Sequence, residues 1–400
     1  TSVPATRMDR EGHPGRSALM LAGLVAVAHG VNDAYAAFLP PLLPRIMDKL
    51  GLSIAMAATL AMTLSLGASI LQPLMGFLSD RYGRRTFVVL GPVLSALFLS
   101  LIGATSSFWV LILFLLLGGL GSAVFHPPAA SMAAQVSEGK GSGVRMSVFS
   151  LGGSLGWALG PLVAVGLVGW IGLDGLWMAM FPGILLALLL FPLFPTTGAH
   201  RGARLPPSPG KVLRELRGPL GLLFGISVVG AFAQRVFLTM GPIIGARAGA
   251  SEASGALALS LYLGTQAVGT LAGGFLADRV DRGRLLAWLT FLAFPAHFLA
   301  VSLPPGELPA FVLASAAGFF GMAMMPSIVV RAQELLPQSA AVGTGIVMGL
   351  AWGVGSLGVL VTGALGDWIG PREAAMVSMP ALLLGTVLAL QRPLREGKRA

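Results

Sequence analysis

Residues 76–85 read Gly76-Phe-Leu-Ser-Asp80-Arg81-Tyr-Gly83-Arg84-Arg85, and a second copy of this segment, Gly274-Phe-Leu-Ala-Asp278-Arg279, lies 198 residues further along the chain. The same shift relates other, well-separated segments. It aligns Pro128 with Pro326, Ala134-Gln135 with Ala332-Gln333, and residues 148–172 with residues 346–370, where eight positions are identical. One constant shift across separate segments predicts that the chain consists of two related halves in parallel orientation.

The composition places both halves in a membrane. Only 26 basic and 16 acidic residues occur among 400, which is 10% of the chain, while 55% is apolar and the mean hydropathy is +0.83. Soluble globular proteins contain about 25% charged residues, so this composition excludes a soluble enzyme. The chain has no cysteine, which excludes a disulfide scaffold and a thiolate metal site. A polytopic membrane protein remains.

A membrane helix needs about 20 mainly apolar residues. The sequence contains twelve apolar runs long enough to meet this requirement. We therefore predict an all-α protein with twelve transmembrane helices in two pseudo-symmetric six-helix bundles. The predicted spans are 17–43, 54–78, 86–105, 108–134, 144–170, 172–194, 219–246, 254–277, 285–303, 307–330, 339–364 and 372–391.

Basic residues set the expected orientation, because loops that carry Lys and Arg stay in the cytoplasm. With a cytoplasmic N-terminus, Arg45, Lys49, Arg247 and Arg372 fall outside and Arg235 falls within a span. The other 21 of the 26 basic residues fall on the cytoplasmic side. We therefore expect both termini in the cytoplasm, and we interpret the net charge of +10 as a topology signal rather than as nucleic-acid binding.

The stretch between the sixth and seventh predicted spans is rich in proline, glycine and basic residues. It divides the chain into an N-terminal six-helix bundle at 1–194, a cytoplasmic linker at 195–218 and a C-terminal six-helix bundle at 219–400. Parallel repeats with a substrate site between them near the bilayer midplane are typical of secondary transporters.

The segment from Gly76 to Arg85 resembles the signature of the major facilitator superfamily between its second and third helices, and the overall pattern of spans is similar as well. The resemblance implies a major facilitator fold and a gating role for this segment. Asp80 could accept hydrogen bonds or face a helix N-terminus of the other half. The alternative is that these charges only set topology. The predicted gating residues are Gly76, Asp80, Arg81, Gly83, Arg84 and Arg85, with Asp278 and Arg279 in the second half.

Two further segments resemble a narrower group, the fosmidomycin resistance protein family. They are His29-Gly-Val-Asn32-Asp33-Ala-Tyr35 with the prolines that follow it, in the first predicted span, and Phe125-His126-Pro127-Pro128-Ala129 in the fourth. This resemblance implies a drug/proton antiporter of the bacterial inner membrane.

The fifth predicted span carries glycine every four residues, at Gly152, Gly156 and Gly160, followed by Pro161. Such a stripe lets another helix approach closely, and the proline can kink the helix. The pattern is similar to the glycine-proline motif of antiporters in the superfamily. Plain helix packing is the alternative.

Asp33 is the only acidic residue well inside a predicted span. An ionisable group within the membrane is costly and therefore a functional candidate. His29 lies one turn earlier on the same helical face, so the two side chains can interact. We predict that Asp33, His29 and His126 couple transport to protons. The alternatives are that Asp33 is tied to a neighbouring amide and that His126 is a local cap.

Arg235 lies in the seventh predicted span at a depth close to that of Asp33, since Ala231 is the repeat equivalent of Asp33. Helices 1, 4, 7 and 10 line the cavity in the superfamily that the chain resembles. Arg235 could therefore bind an anionic group of a substrate or pair with Asp33. The predicted substrate-binding residues are Asn32, Tyr35, His126, Gln234 and Arg235.

Together these patterns predict a secondary active transporter that exports small drug-like or anionic compounds in exchange for protons by alternating access. A solute/proton symporter or a uniporter is the alternative. We expect no enzymatic activity, no cofactor, no bound metal and no nucleic-acid partner. The expected partners are a small-molecule substrate, protons and the lipid bilayer, and the expected oligomeric state is a monomer.

Overall fold

The chain is a multi-pass, all-helical membrane protein. A computed structural model describes residues 14–136, 142–195, 209–336 and 340–395. In these ranges the regular secondary structure is entirely helical, and twelve spans are long and apolar enough to cross a membrane. The prediction of twelve transmembrane helices is therefore confirmed.

The first half contains spans 1 to 6. Span 1 comprises the helices Pro14–Ala36 and Leu39–Leu50, span 2 comprises Ile54–Ser69 and Gln72–Tyr82, span 3 is Arg84–Ser100, span 4 is Phe108–Val136, span 5 is Ser142–Ile171, and span 6 joins Asp174–Ala179, Met180–Leu190 and Phe191–Leu193.

The second half contains spans 7 to 12, preceded by the short helix Pro209–Glu215. Span 7 is Pro219–Arg247, span 8 is Glu252–Ala277, span 9 is Arg282–Ser302, span 10 comprises Leu308–Ala323 and Met325–Leu335, span 11 comprises Ala340–Thr344, a π-helical segment Gly345–Leu350 and Ala351–Ile369, and span 12 comprises Pro371–Ser378 and Ala381–Ala389. The predicted domain limits stay a prediction, and residues 196–208 of the predicted linker lie outside the described residues.

Span 1 is longer than the sequence predicts, because prolines restart it rather than end it. Pro40 lies in the first turn of the second helix, where the missing N–H costs no hydrogen bond. That helix continues to Leu50 and ends at Gly51, whose positive φ of 65° suits glycine. Arg45 and Lys49, expected in an outer loop, therefore lie on a helix.

The predicted spans leave residues 79–85 as the connection between spans 2 and 3, but the connection in the structure is a single residue. Helix Gln72–Tyr82 and helix Arg84–Ser100 are separated by Gly83 alone, which has a φ of 104°. The left-handed backbone favours glycine at this position. Asp80 and the neighbouring arginines, predicted in a loop, consequently lie on helix ends with defined relative positions.

The two ends of the helical bundle differ in charge and in how the halves meet. We define the basic face as the end that carries residues 81–85 and 279–284, and the opposite face as the end that carries residues 51–53 and 248–251. At the opposite face, Asp367 of span 11 accepts hydrogen bonds from the backbone N–H groups of Ile54 and Ala55 in span 2. Arg45 pairs with Glu252 across the halves at this face too.

Small residues bring the halves together along the membrane. Spans 2 and 11 pack against each other, as do spans 5 and 8. A Cβ built on Gly363 would lie 2.5 Å from the Ala58 Cβ and 3.0 Å from the Ala55 Cα, so these backbones are in close contact. The halves are therefore held together at the opposite face by polar contacts and along the spans by close packing.

Candidate functional site

A buried polar cluster in the first half joins three of the predicted residues. The Asp33 carboxylate, which is 2% exposed, lies 3.1 Å through Oδ2 from the His29 Nε2 atom. Its other oxygen, Oδ1, lies 3.4 Å from the His126 Nε2 atom of span 4. The sequence places His29 and Asp33 on one face of a helix, and the structure adds His126 as a second imidazole on the same carboxylate. We call His29, Asp33 and His126 the His–Asp–His cluster.

Backbone carbonyls fix both imidazole rings. The His29 Nδ1 atom lies 3.0 Å from the Phe149 carbonyl oxygen, and the His126 Nδ1 atom lies 2.9 Å from the Ser122 carbonyl oxygen. A carbonyl oxygen only accepts hydrogen bonds, so each Nδ1 carries a proton and donates it. Each Nε2 therefore points at the carboxylate.

The two Nε2–Oδ contacts determine how many protons the cluster can hold. If both Nε2 atoms were unprotonated, each would direct a lone pair at an oxygen lone pair of Asp33, which is repulsive. One proton in each Nε2–Oδ contact turns the repulsion into a hydrogen bond. Two neutral imidazoles and one carboxylate carry −1, so two added protons bring the cluster to +1. The cluster therefore has room for up to two protons, one in each contact.

Uncharged groups surround the cluster. Asn32 donates to the Asp33 Oδ1 atom over 3.0 Å and accepts from the Ser95 hydroxyl over 3.0 Å. The Phe149 ring stacks on His29 with ring centroids 4.4 Å apart. The described groups that face the cluster from spans 3, 4 and 5 are uncharged: Ser95, Ser122, Phe125 and Phe149. The His126 side chain is 31% exposed, compared with 11% for His29, so His126 is the imidazole more open to its surroundings.

Two predicted substrate-binding residues of span 1 are occupied by contacts within the protein. Asn32 is fully buried in the hydrogen bonds given above. The Tyr35 ring is buried, and its hydroxyl donates to the Ala179 carbonyl of span 6. Their predicted role in binding substrate stays a prediction.

Arg235, predicted to bind an anion or to pair with Asp33, makes no ion pair with Asp33 within the described residues. The two acid oxygens of Asp33 are instead engaged by the histidines. Tyr262 of span 8 is buried in the second half, and its hydroxyl contacts His297 of span 9. That hydroxyl lies 3.1 Å from the His297 Nε2 atom, and His297 Nδ1 donates to the Ala293 carbonyl, so Tyr262 is the donor to His297. Gln234 is largely buried beside Arg235.

The predicted gating residues of the first half make contacts within that half. Arg84 donates to the Asp80 carboxylate, with Nη2 2.7 Å from Oδ1. Arg85 donates to the Phe191 carbonyl of span 6 and lies over its ring at 4.1 Å. Arg81 lies 5.8 Å from the Tyr82 ring centroid. The structure thus brings Asp80 and Arg84 together, and a contact of Asp80 with the second half stays a prediction.

Three other predicted gating positions, Gly76, Asp278 and Arg279, lie near the basic face. A Cβ on Gly76 would lie 3.3 Å from the Pro127 Cβ, so span 2 approaches span 4 closely there. In the second half Arg279 lies 3.4 Å from the Phe275 ring centroid. Asp278 ends the helix of span 8 and takes part in none of the described ion pairs.

The glycine stripe of span 5 faces span 1. A Cβ on Gly152, Gly156 or Gly160 would overlap the carbonyl oxygens of Ala26, Gly30 and Ala34 respectively. Pro161 lies inside a helix that continues from Ser142 to Ile171. Because Asp33 and His29 belong to span 1 and Phe149 belongs to span 5, this close approach positions the Phe149 carbonyl that orients His29.

The His–Asp–His cluster also has a donor set that could hold a divalent cation. Its three ligand atoms lie within 4.8 Å of one another, and histidine and carboxylate are common ligands of such ions. The expectation of no bound metal therefore stays a prediction.

The model of the Major Facilitator Superfamily matches residues 25–358, with a second match over 222–399. The chain belongs to this superfamily. As a major facilitator, it is a membrane transporter rather than an enzyme, and the predicted fold and family are confirmed.

Individual major facilitators resemble the chain over most of its length. It is 28% identical to the fosmidomycin resistance protein of Escherichia coli over 363 residues, which cover 88% of this chain and 87% of the relative. It is 27% identical to the uncharacterized MFS-type transporter YfnC of Bacillus subtilis, with 96% of each chain covered. The resemblance to the fosmidomycin resistance protein, predicted from spans 1 and 4, is thereby confirmed.

Solved structures of other major facilitators share the fold. A bacterial homologue of the human lysosomal transporter Spinster, in an inward-facing and occupied conformation, superimposes with a TM-score of 0.78 at 19% identity, covering 95% of this chain and 97% of that one. The nucleoside transporter NupG gives a TM-score of 0.76 at 14% identity, covering 93% and 99%.

The sequence did not reveal several residues of this site. Ser122 lies four residues before His126 on one helix, a spacing that could have indicated contact. Ser95 and Phe149 come from other spans and carry no comparable signal. Tyr262 is a single tyrosine in an apolar span, and Asp367 at the end of span 11 aligns with Gly169 in the repeat, so the first half gave no hint of its role.

Proposed function

We propose that this transporter exports small drug-like or anionic compounds in exchange for protons. We further propose that it lies in the inner membrane of a bacterium, with both termini in the cytoplasm. The His–Asp–His cluster carries the proposal, because it places two proton-binding contacts on one buried carboxylate. The name of the fosmidomycin resistance protein supports export of a drug, and the excess of basic residues at the basic face supports its cytoplasmic location.

Proton loading and release follow from the two contacts of Asp33. The His126 contact is the longer one and belongs to the more exposed imidazole. Protons therefore enter and leave through His126, while His29 stays under the Phe149 ring. A cluster that loses both protons changes its charge from +1 to −1, which is a large change for a site with little solvent.

Exchange requires that substrate and protons compete. A compound that contacts the exposed edge of His126 would draw Nε2 away from the Asp33 Oδ1 atom and remove the hydrogen bond that holds one proton. Proton binding from the other side of the membrane would restore the contact and displace the compound. Competition of this kind makes outward movement of substrate depend on inward movement of protons.

The direction of proton movement tests the proposal. The full-length protein is placed in proteoliposomes that enclose a pH-sensitive dye, and fosmidomycin is added outside as the first probe. Antiport moves protons out as the compound enters, so the lumen becomes more alkaline. Acidification of the lumen would instead establish symport, and compound uptake with no change in pH would establish a uniporter.

A further inference from the structure

The spacing of ligand atoms in the His–Asp–His cluster is close to that around a single metal ion. The Nε2 atom of His29 lies 3.1 Å from one oxygen of the Asp33 carboxylate, and the Nε2 atom of His126 lies 3.4 Å from the other. Two ligands of one tetrahedral Zn²⁺ ion lie about 3.3 Å apart, because Zn–N and Zn–O bonds are about 2.0–2.2 Å long. Each imidazole and the carboxylate are therefore already at the separation that a shared ion requires.

The outer hydrogen bonds of the two imidazoles are those of metal ligands. A histidine that binds a metal through one ring nitrogen almost always donates the N–H of the other to a fixed acceptor, which sets the tautomer and the orientation of the ring. The Nδ1 atom of His29 donates to the Phe149 carbonyl, and the Nδ1 atom of His126 donates to the Ser122 carbonyl. Both Nε2 atoms can consequently direct a lone pair at an ion that lies between them.

The third ligand is held in the same way. Asn32 donates to the Asp33 Oδ1 atom and accepts from the Ser95 hydroxyl, each over 3.0 Å, so a chain of uncharged groups orients the carboxylate. None of the described ion pairs joins Asp33 to a lysine or an arginine. A buried carboxylate is costly unless a cation accompanies it, and a bound dication would supply that charge.

The types of ligand select the class of ion. Imidazole nitrogen suits Zn²⁺ and its neighbours among the transition metals, whereas Mg²⁺ and Ca²⁺ require oxygen ligands. Three protein ligands leave a fourth position for water. The His126 side chain is 31% exposed and the His29 side chain 11%, so the ion has its path of entry, and its fourth position, on the side of His126.

The second half does not repeat this ligand set. The shift of 198 converts His29, Asp33 and His126 into serine, alanine and methionine at positions 227, 231 and 324. The site therefore belongs to one half of the molecule, with two ligands from span 1 and one from span 4, and a stoichiometry of one ion per chain follows.

We propose that the His–Asp–His cluster binds one divalent transition ion of the Zn²⁺ class between the atoms that otherwise share protons. The ion, two neutral imidazoles and one carboxylate together carry +1, the charge that the cluster has with two protons. The ion and the protons use the same atoms and exclude each other. This inference deepens the proposed proton-coupling role of the cluster, but the binding of the ion rests on the geometry alone.

Calorimetry on the purified full-length protein, carrying an affinity tag without histidine, tests the inference with Zn²⁺ and Mg²⁺. We expect one Zn²⁺ ion to bind per chain at micromolar concentration and Mg²⁺ not to bind at millimolar concentration. Asp33→Asn keeps the shape of the side chain and removes the charged ligand. Loss of an outer partner of a metal ligand costs about 10–100-fold in affinity, so loss of the ligand itself should weaken Zn²⁺ binding at least about a hundredfold.

Two further variants separate loss of a ligand from loss of structure. His126→Gln removes the more exposed imidazole and should weaken Zn²⁺ binding as strongly as Asp33→Asn, with the melting temperature of the wild type. His297→Gln alters a buried histidine outside the cluster and should leave the Kd for Zn²⁺ unchanged. Absence of Zn²⁺ binding to the wild type, or an unchanged Kd in both Asp33→Asn and His126→Gln, would overturn the inference.

X-ray absorption at the zinc edge identifies the ligands directly. The zinc-loaded wild type should show two imidazoles with Zn–N distances of about 2.0–2.1 Å, and a shell without imidazole would also overturn the inference. The result is separable from that of the proposed function. Zn²⁺ binding that depends on these residues, without proton movement in proteoliposomes, would keep the metal site and remove proton coupling. Proton-coupled transport in a protein whose Zn²⁺ binding ignores these substitutions would do the opposite.

Discussion

Asp367 is the residue through which the second half caps a helix of the first. Its carboxylate accepts hydrogen bonds from the Ile54 N–H over 2.7 Å and from the Ala55 N–H over 3.0 Å, at the positive end of the span 2 helix. The substitution Asp367→Asn keeps the size of the side chain and removes its charge. We expect it to weaken the closed state of the opposite face.

The size of the effect follows from the two hydrogen bonds. Hydrogen bonds to a charged group contribute about 1.5–3 kcal/mol each, and a helix N-cap contributes about 0.5–2 kcal/mol. Asp367 is exposed, so solvent screening reduces these values, and the amide oxygen of asparagine keeps part of the cap. A shift of about 1–2 kcal/mol remains, which changes the ratio of closed to open molecules by a factor of about 5–30.

The absence of cysteine from the sequence makes this shift measurable. Spin labels on Ser106→Cys and Glu307→Cys report the distance between the halves at the opposite face by pulsed electron resonance. Asp174→Asn is the matched control, because Asp174 lies at the same face but pairs with Lys49 within one half. We expect a larger population of long distances in Asp367→Asn and no change in Asp174→Asn. Equal distance distributions in Asp367→Asn and the wild type would refute the capping role.

Two further substitutions test the gate at the basic face and the packing of span 1. Asp80→Asn should leave the protein folded but lower exchange in proteoliposomes, because a charge-dependent contact weakens; exchange at the wild-type rate would mean that Asp80 has no gating role. Gly156→Ala places a Cβ on the Gly30 carbonyl oxygen and should cost about 1–3 kcal/mol, seen as a lower melting temperature. Gly166→Ala, where the Cβ meets open space in the same span, should melt like the wild type, and equal melting of both variants would argue against tight packing.

The architecture could be predicted from the sequence because it depends on averages over many residues. Apolar runs of bilayer length indicate the spans, and the constant shift of 198 indicates the two halves. The points at which one helix ends and the next begins were harder to predict. Pro40 was compatible with either the end of a helix or the start of another, and the structure shows a new helix that continues to Leu50.

The site was predicted in part, because depth in the membrane can be counted along a helix but rotation and tilt cannot. Counting placed Asp33 and Arg235 at similar depth and suggested an ion pair. The structure directs Asp33 instead towards His126, whose rotation is set by span 4 and its Ser122 carbonyl. Contacts between distant segments, such as that of Asp367 with Ile54, follow from the packing of whole halves and leave no local pattern in the sequence.

Transport driven by a pH gradient in proteoliposomes that contain Asp33→Asn tests the role of the His–Asp–His cluster most directly. Asparagine has nearly the same shape as the protonated acid but cannot exchange a proton, so each histidine loses the group that holds its second proton. Asp48→Asn, at an exposed position of the same span, is the control and should transport like the wild type. We predict that a pH gradient no longer drives fosmidomycin uptake in Asp33→Asn, while uptake in the control is unaffected. Gradient-driven uptake at the wild-type rate in Asp33→Asn would contradict the assignment of Asp33 as the proton carrier.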